Sequence, residues 1–148
     1  MKKATEALLS DHKMIRKLME GLQTDNPRFG EISKTMTRVV LTHAWFEDNV
    51  FLPAFKNEPL LIKNYMDQLY DEHKDIDTFM KLIRSMPDIF SVQMEATLKQ
   101  FKAIMRTHLE KEEEALFPLA EKILDNEGLN KLGAEMEKRQ REAQKLFL

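Results

Sequence analysis

Cysteine is absent from this chain. Its absence excludes disulfides, thiolate metal sites and thiol catalysis, and it fits a reducing, cytoplasmic setting. Glycine occurs four times and proline five times in 148 residues, so little interrupts long helices. The uninterrupted apolar runs are far shorter than the ~20 residues that span a bilayer. The start carries Ser10, Asp11, His12 and Lys13 where a signal peptide would have an apolar core. A surplus of charge is also missing. The formal net charge of -2 gives no reason to expect nucleic acid or an anionic membrane as a partner. With 43% hydrophobic and 32% charged residues, the composition is that of one ordinary globular domain.

What is present is a helical rhythm. Apolar residues recur at spacings of three and four, with no strand alternation. The spacing predicts a first helix over 4–23, with Leu8, His12, Ile15, Met19 and Leu22 on one stripe. A second is expected over 31–56, carrying Met36, Val39, His43, Glu47 and Val50, with Pro53 bending or ending its last turn. A third should run over 59–85, with Pro59 in its first turn and Ile62, Met66, Leu69, His73, Ile76 and Met80 on its stripe. A fourth should cover 91–124, with Leu98, Phe101, Met105, His108, Glu112 and Leu119. A short final helix over 129–146 is expected to pack across the bundle or to contact a partner or a second copy. Four helices and short loops imply an all-α, up-down-up-down antiparallel four-helix bundle with a short additional C-terminal helix, one domain over 1–148.

All four histidines fall on those stripes, and two have a glutamate one turn later, His43-x3-Glu47 and His108-x3-Glu112. Side chains at i and i+4 share a helix face, so each imidazole and carboxylate point together into the same space. Counting residues from each turn at ~1.5 Å rise places the four imidazoles within about one helical turn of a common height. Such groups are costly in a core unless paired or bound to metal. The chain also repeats itself. Asp11-His12-Lys13 echoes Glu72-His73-Lys74, 61 residues on, and Thr42-His43-x3-Glu47 with Pro53 echoes Thr107-His108-x3-Glu112 with Pro118, 65 residues on. Two helix pairs related by an approximate two-fold axis would supply equal ligand sets to two metals.

Each half offers two imidazoles and one carboxylate, a donor set that suits iron, manganese or zinc. Pairing by half gives one metal His12 and His43 and the other His73 and His108, with Glu47 and Glu112 as bridges. The positions left over suit an oxo or hydroxo bridge and an outside ligand, which fits six-coordinate iron better than closed tetrahedral zinc. A ferritin-like Glu-x-x-His pattern is excluded, because Leu9, Val40, Tyr70 and Met105 stand three residues before the histidines. Glu110, Glu113 and Glu114 read as a solvated run, with Glu113 a candidate for support behind the ligands. Trp45 and Phe46 read as core packing, and the ten methionines as gap-fillers.

The motifs Asp11-His12, His43-x3-Glu47, Glu72-His73 and His108-x3-Glu112, with Ala115-Leu116-Phe117-Pro118, together resemble the hemerythrin-like, or HHE cation-binding, family over roughly residues 4–124. The resemblance implies a non-haem di-iron centre with two bridging carboxylates. It also implies dioxygen binding in some members and responses to oxygen, iron or nitric oxide in others. Oxygen carriers of that family use five histidines, with His-x3-His on the third helix. Here the pair reads His73-x3-Asp77 and there is no fifth histidine, so Asp77 or Tyr70 is left as a substitute ligand. The expected function is a di-iron protein that binds or senses dioxygen or iron, with two iron ions as cofactor. The other reading is a redox enzyme acting on peroxide or nitric oxide, or an iron donor for repair of iron centres.

Overall fold

The computed structural model describes residues 2–57 and 60–147, and among these there is helix but no strand. Helix α1 spans Ala4–Gly21 and α2 spans Phe29–Phe46. Helix α3 spans Leu60–Ser85 and α4 spans Val92–Lys111. Short helices α5 (Phe117–Ile123), α6 (Asn126–Lys138) and α7 (Gln140–Leu146) complete the chain. The expectations for Pro59 and for the Ile62 side chain lie outside the described residues.

Local chemistry sets the ends. Asn26 ties the first turn at both sides: its side-chain amide donates to the Gly21 carbonyl at 3.0 Å, and its oxygen accepts from the Arg28 N–H at 2.9 Å. Ser91 caps α4 by accepting from the Met94 N–H at 3.1 Å. Asp125 accepts from the Gly128 N–H at 2.7 Å. That cap starts the C-terminal helix at Asn126, three residues before the expected 129. The backbone at Arg139 (φ -96, ψ 8) leaves helical geometry and divides the expected last helix into α6 and α7.

Proline produces the clearest departure from regular helix. Glu47–Phe51 and Glu112–Leu116 are both wound as π turns, at positions equivalent in the repeat. Pro53 follows the first and Pro118 the second. A proline has no N–H to give and its ring crowds the carbonyl four residues back, so the turn before it widens. After Pro53 the chain closes in a 3-10 turn, Leu52–Phe55, whereas after Pro118 it continues as α5. The expected helix 2 therefore persists to residue 55, but not as α-helix beyond Phe46.

The four long helices pack as a bundle, α1 on α2, α2 on α3 and α3 on α4. The circle is closed between α4 and α1 by Arg16 and Glu113, joined at 3.0 Å. The interior is two apolar clusters rather than one. Leu8, Phe46, Phe51, Leu52, Leu69, Leu116 and Phe117 form one. Ile15, Met19, Met36, Val40, Ile76, Met80, Phe101 and Met105 are in the other. Helices α1, α2 and α3 pass from one cluster to the other through their histidines, as Leu8, His12 and Ile15 do on α1, and the chain after α4 does so at Leu116. The polar layer lies between two dry ones. Helix α6 packs on α1 and α7 on α2, burying Leu129, Met136 and Ala143. Of the two expectations for this segment, packing across the bundle is what its apolar stripe does, with Leu146 left exposed.

Candidate metal centre

His12, His43, His73, His108, Glu47 and Glu112 meet in that middle layer, each no more than 6% exposed. They divide as the repeat suggests. The His12 and His43 rings lie 4.9 Å apart and the His73 and His108 rings 5.0 Å apart, centre to centre. Ligand-capable atoms of His12, His43 and Glu112 come within 4.8 Å of one another, as do those of Glu47, His73, His108 and Glu112. Glu112 belongs to both groups. Its Oε1 is 2.9 Å from His12 Nε2 and its Oε2 is 3.3 Å from His108 Nε2. Glu47 Oε1 sits between the other two rings, 3.3 Å from His43 Nε2 and 3.1 Å from His73 Nε2.

Behind each ring stands a second carboxylate, and each comes from the neighbouring helix. Asp11 on α1 takes the Nδ1 edge of His43 on α2 at 3.0 Å. Asp48, following α2, takes that of His73 on α3 at 2.7 Å. Glu72 on α3 takes that of His108 on α4 at 2.8 Å. Glu113, following α4, takes that of His12 on α1 at 2.7 Å. The four bonds run once around the bundle. An ionised carboxylate only accepts, so each Nδ1 carries the proton and each Nε2 turns toward the centre. The geometry is a consequence of spacing. Successive helical residues are about 100° apart, so a residue beside an inward-pointing ligand faces the next helix.

This outer ring is what sequence reasoning missed. Asp11 and Glu72 enter the sequence reading only as marks of the repeat and of the family motifs, Glu113 only as a supporting candidate, and Asp48 not at all. The signal was an acidic residue adjacent to one inward-pointing ligand from each of the four helices or the turn that follows it. Tyr65 was missed too. Its hydroxyl donates to the Lys111 carbonyl at 2.9 Å, and burial, then the charges of Glu112, Glu72 and Glu47, push its pKa up to about 12. Asp77 and Tyr70 join neither ligand group. The Asp77 carboxylate faces Lys81 at 2.8 Å, and Tyr70 lines a surface cavity.

The electrostatics are those of a cation site whose charge is supplied by protons. Burial works against a charged imidazole, yet the surrounding carboxylates win. Glu47 and then Asp11 hold the His43 pKa well above its ordinary value. Asp48 and Glu47 bring His73 to about 10, and Glu112 and Glu72 bring His108 to about 9. Burial likewise opposes charge on Glu112, but its contact with Glu47 and with the His108 and His12 rings holds it well below the usual carboxylate range. Even so, Nε2 of His43 and His73, both oxygens of Glu47 and Oε2 of Glu112 are buried with no aligned hydrogen bond, and the 3.1–3.3 Å approaches among them are ionic contacts only. Each such atom costs about 1–3 kcal/mol, more when charged, unless something pairs with it. Once those protons leave, the inward-turned imidazoles and the carboxylates offer lone pairs that fit a divalent cation of borderline hardness.

Fold and site together define a helical-bundle protein with a buried histidine–carboxylate centre suited to metal cations. A family model, the hemerythrin HHE cation binding domain, matches residues 3–120 and again 64–147, and the chain belongs to that family. The second match begins inside α3, as a repeat of the first helix pair by the second would allow. No curated protein and no solved structure matches the chain. Among the described residues, no helix is long and apolar enough to cross a membrane.

Proposed function

We propose that the protein holds two iron ions, ligated by His12, His43, His73, His108, Glu47 and Glu112, and uses them to bind or sense dioxygen. The observation that carries this is the set of buried atoms on His43, Glu47, His73 and Glu112 that make no aligned hydrogen bond, in two ligand groups that share Glu112. Two clusters with one common carboxylate are the arrangement expected of a carboxylate-bridged pair of metals. Bound iron supplies one-electron redox chemistry and exchangeable coordination positions. The chain's own residues do the rest. The imidazoles present neutral Nε2 lone pairs, fixed by the outer carboxylates. The apolar layers above and below exclude water. Glu47 and Glu112 offset the positive charge brought into the core.

Reversible binding is favoured over turnover because no flavin, haem or thiol motif offers a route for electrons in these residues. Other small diatomic or peroxide ligands share the chemistry and are outcomes of the test. Iron per chain is counted in the purified protein, and the visible spectrum is followed through anaerobic reduction and return to air. About two irons and a band that comes and goes with oxygen support the proposal. Irreversible oxidation with peroxide consumed in turnover would move the protein to the redox enzymes. Failure to retain stoichiometric iron, or retention that survives both His43→Ala and Glu112→Ala, would sink it.

A further inference from the structure

The two inner carboxylates sit on unlike sides of the centre. Glu112 lies between His12 and His108, and the outer partners of both rings are clamped by cations. Glu113 meets Arg16 at 3.0 Å, and Glu72 meets Lys111 at 2.6 Å. Glu47 lies between His43 and His73, whose outer partners are Asp11 and Asp48. Among the described residues neither aspartate is in an ion pair with lysine or arginine. The repeat shows how the difference arises. One turn after His12 stands Arg16, which reaches Glu113. At the equivalent place after His73 stands Asp77, a carboxylate that has no cation to offer Asp48 and pairs outward with Lys81.

The unclamped side is also the hollow side. A cavity of about 700 Å³ is lined by Ser10, Asp11, Thr42, His43, Met136 and Gln144. A second, of about 780 Å³, is lined by Trp45, Asp48, Asn49, Tyr70, His73 and Phe147. The two flank α2 on opposite sides, and each ends at one of the two rings that bracket Glu47. Four of the five buried atoms without an aligned hydrogen bond, on His43, Glu47 and His73, are on this same side.

We propose that small ligands reach the centre along its Glu47 edge, through the two cavities beside α2, while the Glu112 edge is sealed by the Arg16–Glu113 and Lys111–Glu72 pairs. The inference rests on the metal-site reading above and adds the direction of approach. The ligand class is a small uncharged or monoanionic molecule with a free lone pair. Larger anions are disfavoured in the second cavity by Asp48, Asp67, Asp71 and Asp77 in its lining.

The test uses azide as probe on the iron-loaded full chain, with association followed by stopped-flow absorbance. Thr42→Trp and Asn49→Trp each fill one cavity, and the double variant should slow association on the order of tenfold or more while the equilibrium affinity changes little. Glu110→Trp, exposed on the opposite edge, should leave the rate unchanged. Phe147→Ala, at the mouth of the second cavity near the chain end, should speed it, and serves if the double variant does not fold. Equal slowing by Glu110→Trp overturns the proposal. So does an unchanged rate in folded, iron-replete cavity variants together with Phe147→Ala. Iron is counted in every sample, so loss of the metal-site reading registers as absent iron in the unaltered protein, separately from any result on rates.

Discussion

The Asp11 carboxylate reaches from α1 to α2 and meets Nδ1 of His43 at 3.0 Å, although its nearest neighbour in sequence is His12. Its repeat mate Glu72 does the same from α3 to α4, meeting His108 at 2.8 Å. A ligand and the group that orients the next ligand are therefore consecutive residues, and a shift of one helix misplaces both. Removing the negative charge behind a ring while keeping its shape isolates this role. Asp48→Asn and Glu72→Gln should each weaken iron binding by about 10–100-fold without unfolding the bundle. Competition against a chelator of known affinity measures the loss, with helicity by circular dichroism as the control. Affinity within twofold of the unaltered protein would show that the outer carboxylates are incidental.

Protons and metal compete for the same imidazoles. In the metal-free protein the pKa values of His73 and His108 stand at about 10 and about 9, above the ordinary value near 6.5. A raised pKa means that the folded state holds the proton more tightly than the unfolded chain does. That stabilisation is complete below the unfolded value and is lost as pH rises through about 9 and about 10. The melting temperature of the metal-free protein should accordingly decline from neutral pH to pH ~10. Binding metal requires neutral rings, so loading near pH 7 should release protons. A weakly buffered titration with a pH indicator reads that release. A metal-free melting temperature that rises across the alkaline range, or loading with no acidification, contradicts this account.

Much of the centre was legible before any coordinates. The i, i+4 pairs His43–Glu47 and His108–Glu112 and the common height of the four histidines follow from helical geometry alone. Their pairing by half follows from the repeat. Two things were not legible. The π turns after Glu47 and Glu112 depend on how a helix yields to Pro53 and Pro118, and bending, stopping and widening all satisfy the same missing N–H. The outer ring is a relation between helices. A sequence shows that Asp48 stands beside Glu47, but not that α3 places His73 within its reach. The division of the last segment at Arg139 was hidden for a similar reason. Trp45 on α2 receives the Arg139 guanidinium 4.7 Å above its ring, a contact that no local pattern announces.

Metal should act as a staple for the fold. The ligands come from all four long helices, so a cation bound in the folded state has no equal site in the unfolded chain. Ferrous iron at a hundred times its dissociation constant should stabilise the protein by about 2.7 kcal/mol, a rise of several degrees in melting temperature. His43→Ala and Glu112→Ala should abolish the iron-dependent part of that rise. Anaerobic thermal unfolding with and without added iron measures it. An equal shift in both variants would place the stabilising ion somewhere else.

Two helical glycines make opposite predictions. Gly133 on α6 packs against the start of the chain, and a β-carbon added there would collide with the Lys2 carbonyl oxygen and lie 3.2 Å from the Ala4 nitrogen. The obstruction is backbone, which cannot rotate away as a side chain does. Gly133→Ala must push α6 off α1, and the cost should be about 1–3 kcal/mol, as for other overpacked contacts. Gly30, near the start of α2, has nothing within 4 Å of the same added atom. There alanine only restricts the unfolded chain and favours helix, so Gly30→Ala should stabilise by about 0.4–1 kcal/mol. Neither residue supplies a ligand atom, so iron stoichiometry should stay at the unaltered value. Chemical denaturation of the two variants side by side checks the signs. If Gly133→Ala were neutral, the close seating of α6 on the first residues would be wrong, and with it the wall that α6 gives to the cavity beside His43.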